Sequence, residues 1–208
     1  VLFRSHGQSG IPKGPYAVED FGRDALAIMD GLGLKTVNWC GLSMGGMVGQ
    51  WLGANAPERI ERIVMSNTHS YYTDKTVWDE RMKLAQDKGM AFAAGPAMGR
   101  WFTPEFIARH PDKVALVQRM FTETDIGGYL ACCSAIRNMD MRPTHSKIQA
   151  PTLVIVGLQD PATPPAAGEE IAKRIKGAKL ATIDASHISN MGQPKAYADL
   201  VLGFLSEP

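Results

Sequence analysis

The chain predicts an α/β fold in which a mostly parallel sheet is flanked by helices and interrupted by a helical insert. Three observations carry this. Helical periodicity alternates with short β-branched runs between residues 16 and 66, the alternation stops between residues 69 and 145, and it resumes after Pro151. The expected partition is a core made of residues 1–68 and 146–208, with residues 69–145 as a cap over it.

Each element has a local reason. From Tyr16 to Leu34, the apolar residues Phe21, Ala25, Ile28, Met29 and Leu32 fall on one stripe of a 3.6-residue period, and Gly31 and Gly33 stop the helix. Thr36 to Cys40 is short and rich in β-branched and aromatic residues, so it reads as a strand leading into the turn Gly41–Gly46. A helix leaves that turn with Met47, Val48, Trp51 and Leu52 on one side and ends before Pro57. Ile60 to Ser66 is mostly apolar, as a strand covered on both faces must be.

The insert is dominated by helix formers, and Thr103-Pro104-Glu105 places a proline in a first turn behind an N-cap. Beyond it come a buried strand at Thr152–Val156, a helix at Ala166–Ile175, a last strand at Lys179–Ile183 and a closing helix at Pro194–Leu205. Tyr197, Leu200, Val201, Phe204 and Leu205 form the expected buried face of that helix.

Composition bounds the function. A chain of 208 residues that is 45% hydrophobic and 21% charged buries a sizeable core, which excludes disorder over most of its length. Lys and Arg total 22 against 21 Asp and Glu, so there is no field of one sign to hold nucleic acid or an anionic membrane, and neither is expected as a partner. The three cysteines, Cys40 and the adjacent Cys132 and Cys133, offer neither a metal spacing nor a paired framework, so Cys132 and Cys133 read as two buried thiols. With no apolar run near the roughly 18 to 20 residues of a membrane span, and no signal sequence at its start, the chain reads as a cytoplasmic protein.

Gly41-Leu42-Ser43-Met44-Gly45 is a G-x-S-x-G motif set between a strand and a helix, the context in which it makes a nucleophile of its serine. Glycine on both flanks lets the backbone turn sharply, so Ser43 Oγ projects at the carboxyl edge of the sheet. The Met44 N–H faces a developing oxyanion from the helix N-terminus. A serine hydroxyl needs a base, and the base an orienting acid, in the order Ser, Asp, His. Asp160, just past one strand, and His187, just past the last, supply that order at the same sheet edge. Asp184 competes with Asp160 but belongs to a strand end, where capping or solvation is its ordinary role. Of the other histidines, His110 precedes a proline as a surface loop residue, and His69 and His145 end the insert. Trp101 either packs the insert or lines the cleft.

The elbow GLSMGGMVGQWLG, the acid loop GLQDPATPP and the base loop DASHISNMGQP together resemble the 3-oxoadipate enol-lactonase branch of the α/β-hydrolases. RWFTPEFIARHP and GYLACCSAIRNMD resemble the cap of the same branch. The resemblance runs from about Arg4 to Leu205. It implies Ser43 as nucleophile, Asp160 as acid, His187 as base, Met44 as one oxyanion donor and Trp101 as a cap residue beside the substrate. No metal or organic cofactor is implied.

Arg4-Ser5-His6-Gly7-Gln8-Ser9 resembles the family's R-G-H-G-x-S loop, with Ser5 where glycine is usual. The family's first strands, and the loop supplying a second oxyanion N–H, have no counterpart here. The chain is therefore expected to be N-terminally incomplete, and nearly inactive or poorly soluble by itself. The implied reaction is ring opening of an anionic enol-lactone, with Arg100 or Arg137 as cationic partner of the free carboxylate. A general carboxylesterase or a non-catalytic binding protein on the same scaffold are the alternatives.

Overall fold

The computed structural model describes residues 3–207; Val1, Leu2 and Pro208 lie outside the described residues. The chain runs through helix α1 (Val18–Gly31), strand β1 (Val37–Leu42), helix α2 (Met44–Asn55), a short 3-10 turn and strand β2 (Ile60–Ser66). Five helices follow, α3 (Thr76–Lys88), α4 (Met90–Trp101), α5 (Pro104–Arg109), α6 (Pro111–Thr122) and α7 (Ile126–Asn138), and then a 3-10 segment at Arg142–Lys147. Strand β3 (Thr152–Gly157), helix α8 (Pro165–Arg174), strand β4 (Lys179–Ile183), the single turn α9 (Ser189–Gly192) and helix α10 (Pro194–Leu205) complete it.

The four strands pair in the order β1-β2-β3-β4, all parallel. Parallel neighbours need crossover connections, so the helices are forced onto the faces of the sheet. Side chains alternate accordingly. Ile63, Met65, Val154 and Val156 point to the side covered by α1, α2 and α8, and Val64, Leu153, Ile155 and Ile183 to the side covered by α10. Every residue of β3 is buried.

Two expectations about helix faces are corrected. On α1 the buried residues are Val18, Phe21, Gly22, Ala25 and Met29, whereas Ile28 and Leu32 are 37% and 67% exposed. The axis of contact is set by Gly22, where an added Cβ would fall 2.0 Å from the Trp51 ring of α2, so the helix turns its Val18–Gly22–Ala25–Met29 ridge inward. On α10 only Phe204 is fully buried; Tyr197, Leu200, Val201 and Leu205 pack against the sheet but stay half-exposed.

Strand β1 also runs further than expected, carrying Gly41 and Leu42 into the sheet so that a single residue, Ser43, separates strand from helix. Thr103 caps α5, its Oγ1 accepting from the Phe106 N–H at 3.1 Å. Cys40, Cys132 and Cys133 are free thiols, and burial pushes Cys132 up to about 12 and Cys133 to about 11. Among the described residues no helix is long and apolar enough to cross a membrane.

Candidate active site

Ser43 is held in a conformation that serine rarely adopts. Its φ of 55° and ψ of −115° put it in the strained region that a strand-to-helix elbow demands. The two glycines flanking the turn are required sterically. A Cβ on Gly41 would lie 2.1 Å from the Gly45 carbonyl oxygen, and one on Gly46 would lie 2.7 Å from the Thr68 Cβ. The elbow is tied to β2 by Ser43 N–H donating to Ser66 O at 2.9 Å and by Thr68 Oγ1 donating to Ser43 O at 2.7 Å. Met44 opens α2, so its N–H belongs to the unsatisfied first turn, where negative charge is favoured.

Asp160 and His187 arrive from the ends of β3 and β4. His187 Nε2 lies 2.9 Å from Ser43 Oγ and its Nδ1 lies 2.8 Å from Asp160 Oδ2, so three groups from three strand ends form one hydrogen-bonded line. With the proton on Nδ1 directed at the carboxylate, Nε2 is left to accept from the serine hydroxyl. Both Asp160 and His187 are almost entirely buried, at 3% and 5% exposure, which fixes their geometry.

Such a buried carboxylate survives only if its oxygens are satisfied. Oδ1 accepts from the backbone N–H groups of Ala162 and Thr163 at 2.8 and 3.0 Å. Oδ2 accepts from Thr163 Oγ1 at 2.5 Å and from Asn67 Nδ2 at 3.0 Å, besides His187. Burial pushes the carboxyl pKa up, but the hydrogen bond and charge of His187 and the Thr163 donors outweigh it, leaving Asp160 below the usual carboxylate value.

Asn67 and Thr163 are site residues that the sequence reading missed. Asn67 sits at φ 46°, a left-handed conformation that asparagine tolerates, and its Oδ1 accepts from Ser189 Oγ at 2.6 Å. Asp184, the competing acid, is exposed and accepts from Gln159 Nε2 at 2.7 Å, away from the imidazole. His145 is buried and its Nε2 pairs with Gln50 Oε1 at 2.8 Å, while His110 is, as expected, a half-exposed residue of the connection between α5 and α6, just before Pro111.

The insert reaches the base loop through the end of α4. Ser186 Oγ donates to Arg100 O at 3.0 Å, and Ile188 N–H donates to Trp101 O at 3.1 Å, so both neighbours of His187 are bonded to consecutive residues of the insert. The Trp101 ring packs edge-on against Phe121. A cavity of about 150 Å³ opens beside this junction, lined by residues that include Trp101, Phe106, His110 and Ser186; no member of the Ser43–His187–Asp160 line borders it. Arg100 is half-buried with its Nε left without a hydrogen-bond partner.

Arg137, the other candidate for holding substrate, lies on the surface between α3 and α7. Its guanidinium is already engaged by Asp79 in a two-pronged pair at 2.6 and 2.9 Å across the exposed α3–α7 surface. Ser5 also has a physical account, because it adopts φ 65°, where glycine would be at ease, and its Oγ forms a buried 2.9 Å hydrogen bond with Tyr16 Oη. Among the described residues no three His, Cys, Asp or Glu side chains gather as a metal-ligating group.

Comparison with known proteins identifies the family. A family model described as alpha/beta hydrolase fold matches residues 3–194. The chain is 38% identical over 194 residues to 3-oxoadipate enol-lactonase 2 of Acinetobacter baylyi, covering 93% of this chain and 73% of that protein. It is 30% identical to 3-oxoadipate enol-lactonase 1 of the same organism, over 97% and 76% of the two chains. The crystal structure of the enol-lactonase from Burkholderia xenovorans LB400 superposes with a TM-score of 0.96 at 41% identity, over 99% of this chain and 79% of that one. The chain therefore belongs to the alpha/beta hydrolase family and stands with its lactone- and ester-cleaving enzymes.

Proposed function

We propose that the chain opens the ring of 3-oxoadipate enol-lactone, or of an enol-lactone of the same anionic kind, to give the open-chain keto acid. The observation that carries this reading is the continuous Ser43–His187–Asp160 line at 2.9 and 2.8 Å. The substrate class comes from the enol-lactonase relatives of this chain.

The reaction follows from the geometry. Ser43 Oγ attacks the lactone carbonyl while His187 Nε2 takes its proton, and Asp160 stabilises the resulting imidazolium. The Met44 N–H faces the tetrahedral oxyanion. The ring C–O bond then breaks, His187 returns its proton to the departing enol oxygen, and the enol becomes the ketone. A water molecule deprotonated by His187 cleaves the Ser43 ester and releases the carboxylate. Every step uses groups of the chain and water. Arg100, cationic and beside the base loop, is our candidate partner for the substrate carboxylate. We place the reaction in the cytoplasm, a reducing setting that suits free thiols.

Rates on the anionic enol-lactone and on a neutral aryl ester test the reading. The expected result is a kcat/KM on the lactone well above that on the ester. Equal or better turnover of the neutral ester contradicts it and favours a general carboxylesterase.

A further inference from the structure

Burying a cation without a counterion is unfavourable, and this chain mostly avoids it. Arg4 pairs with Asp24, Arg59 with Asp30, Arg109 with Glu105, Arg137 with Asp79, Arg142 with Asp140 and Arg174 with Glu170. Arg81 of α3 and Arg100 of α4 are half-buried and have no carboxylate within ion-pair distance among the described residues. The Arg100 Nε has lost water without gaining a protein acceptor. Helices α3 and α4 pack against each other, which sets Arg81 and Arg100 on neighbouring elements, and burial together with the charge of Arg81 lowers the Arg100 pKa.

Their helices are tied to the elbow and to the base loop. The Arg81 guanidinium lies over the Trp78 ring, 4.4 Å from its centroid, and Trp78 meets Tyr72 edge-on. Trp78, Tyr72 and Tyr129 share one apolar cluster with Met44, the residue that follows the nucleophile. Arg100 is tied to the base loop, its carbonyl accepting from the hydroxyl of Ser186, the residue before His187. Tyr129 packs against the cluster that holds Trp78 and also against the one that Trp101, the residue after Arg100, joins.

We infer that Arg81 and Arg100 together form an anion subsite that takes the free carboxylate of the substrate and selects anionic acyl substrates over neutral ones. Two planar guanidinium forks around one carboxylate satisfy the Arg100 Nε, cancel the mutual repulsion and hold the substrate by the end remote from the reacting carbonyl. This extends the lactone reading and rests on it for the identity of the substrate, but the subsite can be tested by itself.

The test uses Arg81→Met and Arg100→Met in the full chain, with Arg81→Lys and Arg100→Lys as charge-retaining controls and a thermal melt to establish folding. One readout is the ratio of kcat/KM on the anionic enol-lactone to that on its methyl ester. The other is the inhibition constant of adipate against p-nitrophenyl acetate hydrolysis. Each Met variant is expected to lower the ratio and raise the inhibition constant by about 10- to 100-fold, with the Lys variants recovering part of both. If the parent chain fails to open the lactone but adipate inhibition weakens in the Met variants, the subsite stands and the lactone reading falls. If the lactone is opened while ratio and inhibition constant stay unchanged in folded variants, the subsite is overturned and the lactone reading stands.

Discussion

Asn67 donates its side-chain amide to the Asp160 carboxylate at 3.0 Å from a left-handed backbone position at the end of β2. The same amide reaches Ser186 O at 3.4 Å, and its carbonyl accepts from Ser189, so one buried residue braces both the acid and the loop of the base. Asn67→Ala removes a donor from a buried carboxylate and leaves Ser189 Oγ without its acceptor, at a cost of about 1 to 3 kcal/mol. The expected outcome is a lower midpoint in urea and a lower kcat/KM, read by denaturant titration and by rates on the same preparation.

Gly41→Ala asks whether the elbow has room to relax. The added methyl would meet the Gly45 carbonyl at 2.1 Å, a backbone contact that no rotamer change relieves. Soluble yield and activity are both expected to collapse, whereas Gly203→Ala, where an added Cβ meets nothing within 4 Å, should be neutral. Near-normal activity of the Gly41 variant would contradict the tight-turn account.

Buried histidine makes stability depend on pH. Burial lowers the His145 pKa from 6.5 to about 4, and the neighbouring Arg174 charge acts in the same direction. Below pH 6.5 the unfolded chain takes up a proton that folded His145 refuses, so stability falls as pH drops from about 6.5 to about 4. The shift corresponds to about 3 kcal/mol over that window. His69, also lowered by burial, adds in the same sense. Asp160, whose folded value is depressed, contributes stability above the ordinary carboxylate range that is lost as pH falls through its folded value. Urea melts at pH 6.5, 5.5 and 4.5 should show this decline, less steep in His145→Gln; an identical slope in that variant would remove His145 from the explanation.

Arg137→Ala is expected to leave kcat/KM nearly unchanged on the anionic lactone, because its guanidinium is spent on Asp79 at the surface. A loss matching that of Arg100→Met would show that Arg137 reaches the substrate after all.

How far sequence reasoning reached depends on the kind of residue. Ser43, Asp160 and His187 each follow a strand within a few positions, and in a parallel sheet all strand ends of one sense share an edge, so chain order alone predicts that they meet. Asn67 and Thr163 carry no such mark. An asparagine after a strand and a threonine in a proline-rich loop are ordinary turn residues, and their part emerges only when loops 93 and 24 residues away in sequence close around the same carboxylate and imidazole. Arg137 and Arg100 look alike in sequence, both at helix C-termini; what separates them is whether the packing of α3 against α7 supplies an aspartate. Ile28 lies on the expected stripe of α1, and a closely packed glycine, invisible to hydrophobic periodicity, turned that stripe aside.

The central claim is that Ser43 attacks the substrate carbonyl. Chain mixed with enol-lactone, quenched in acid within milliseconds and digested should yield the peptide containing Ser43 heavier by the mass of one substrate molecule. Ser43→Ala should give no adduct and lose lactone turnover by a factor on the order of 10⁴ to 10⁶. An adduct on another residue, or a folded Ser43→Ala chain that still opens the lactone at the parent rate, would contradict the mechanism.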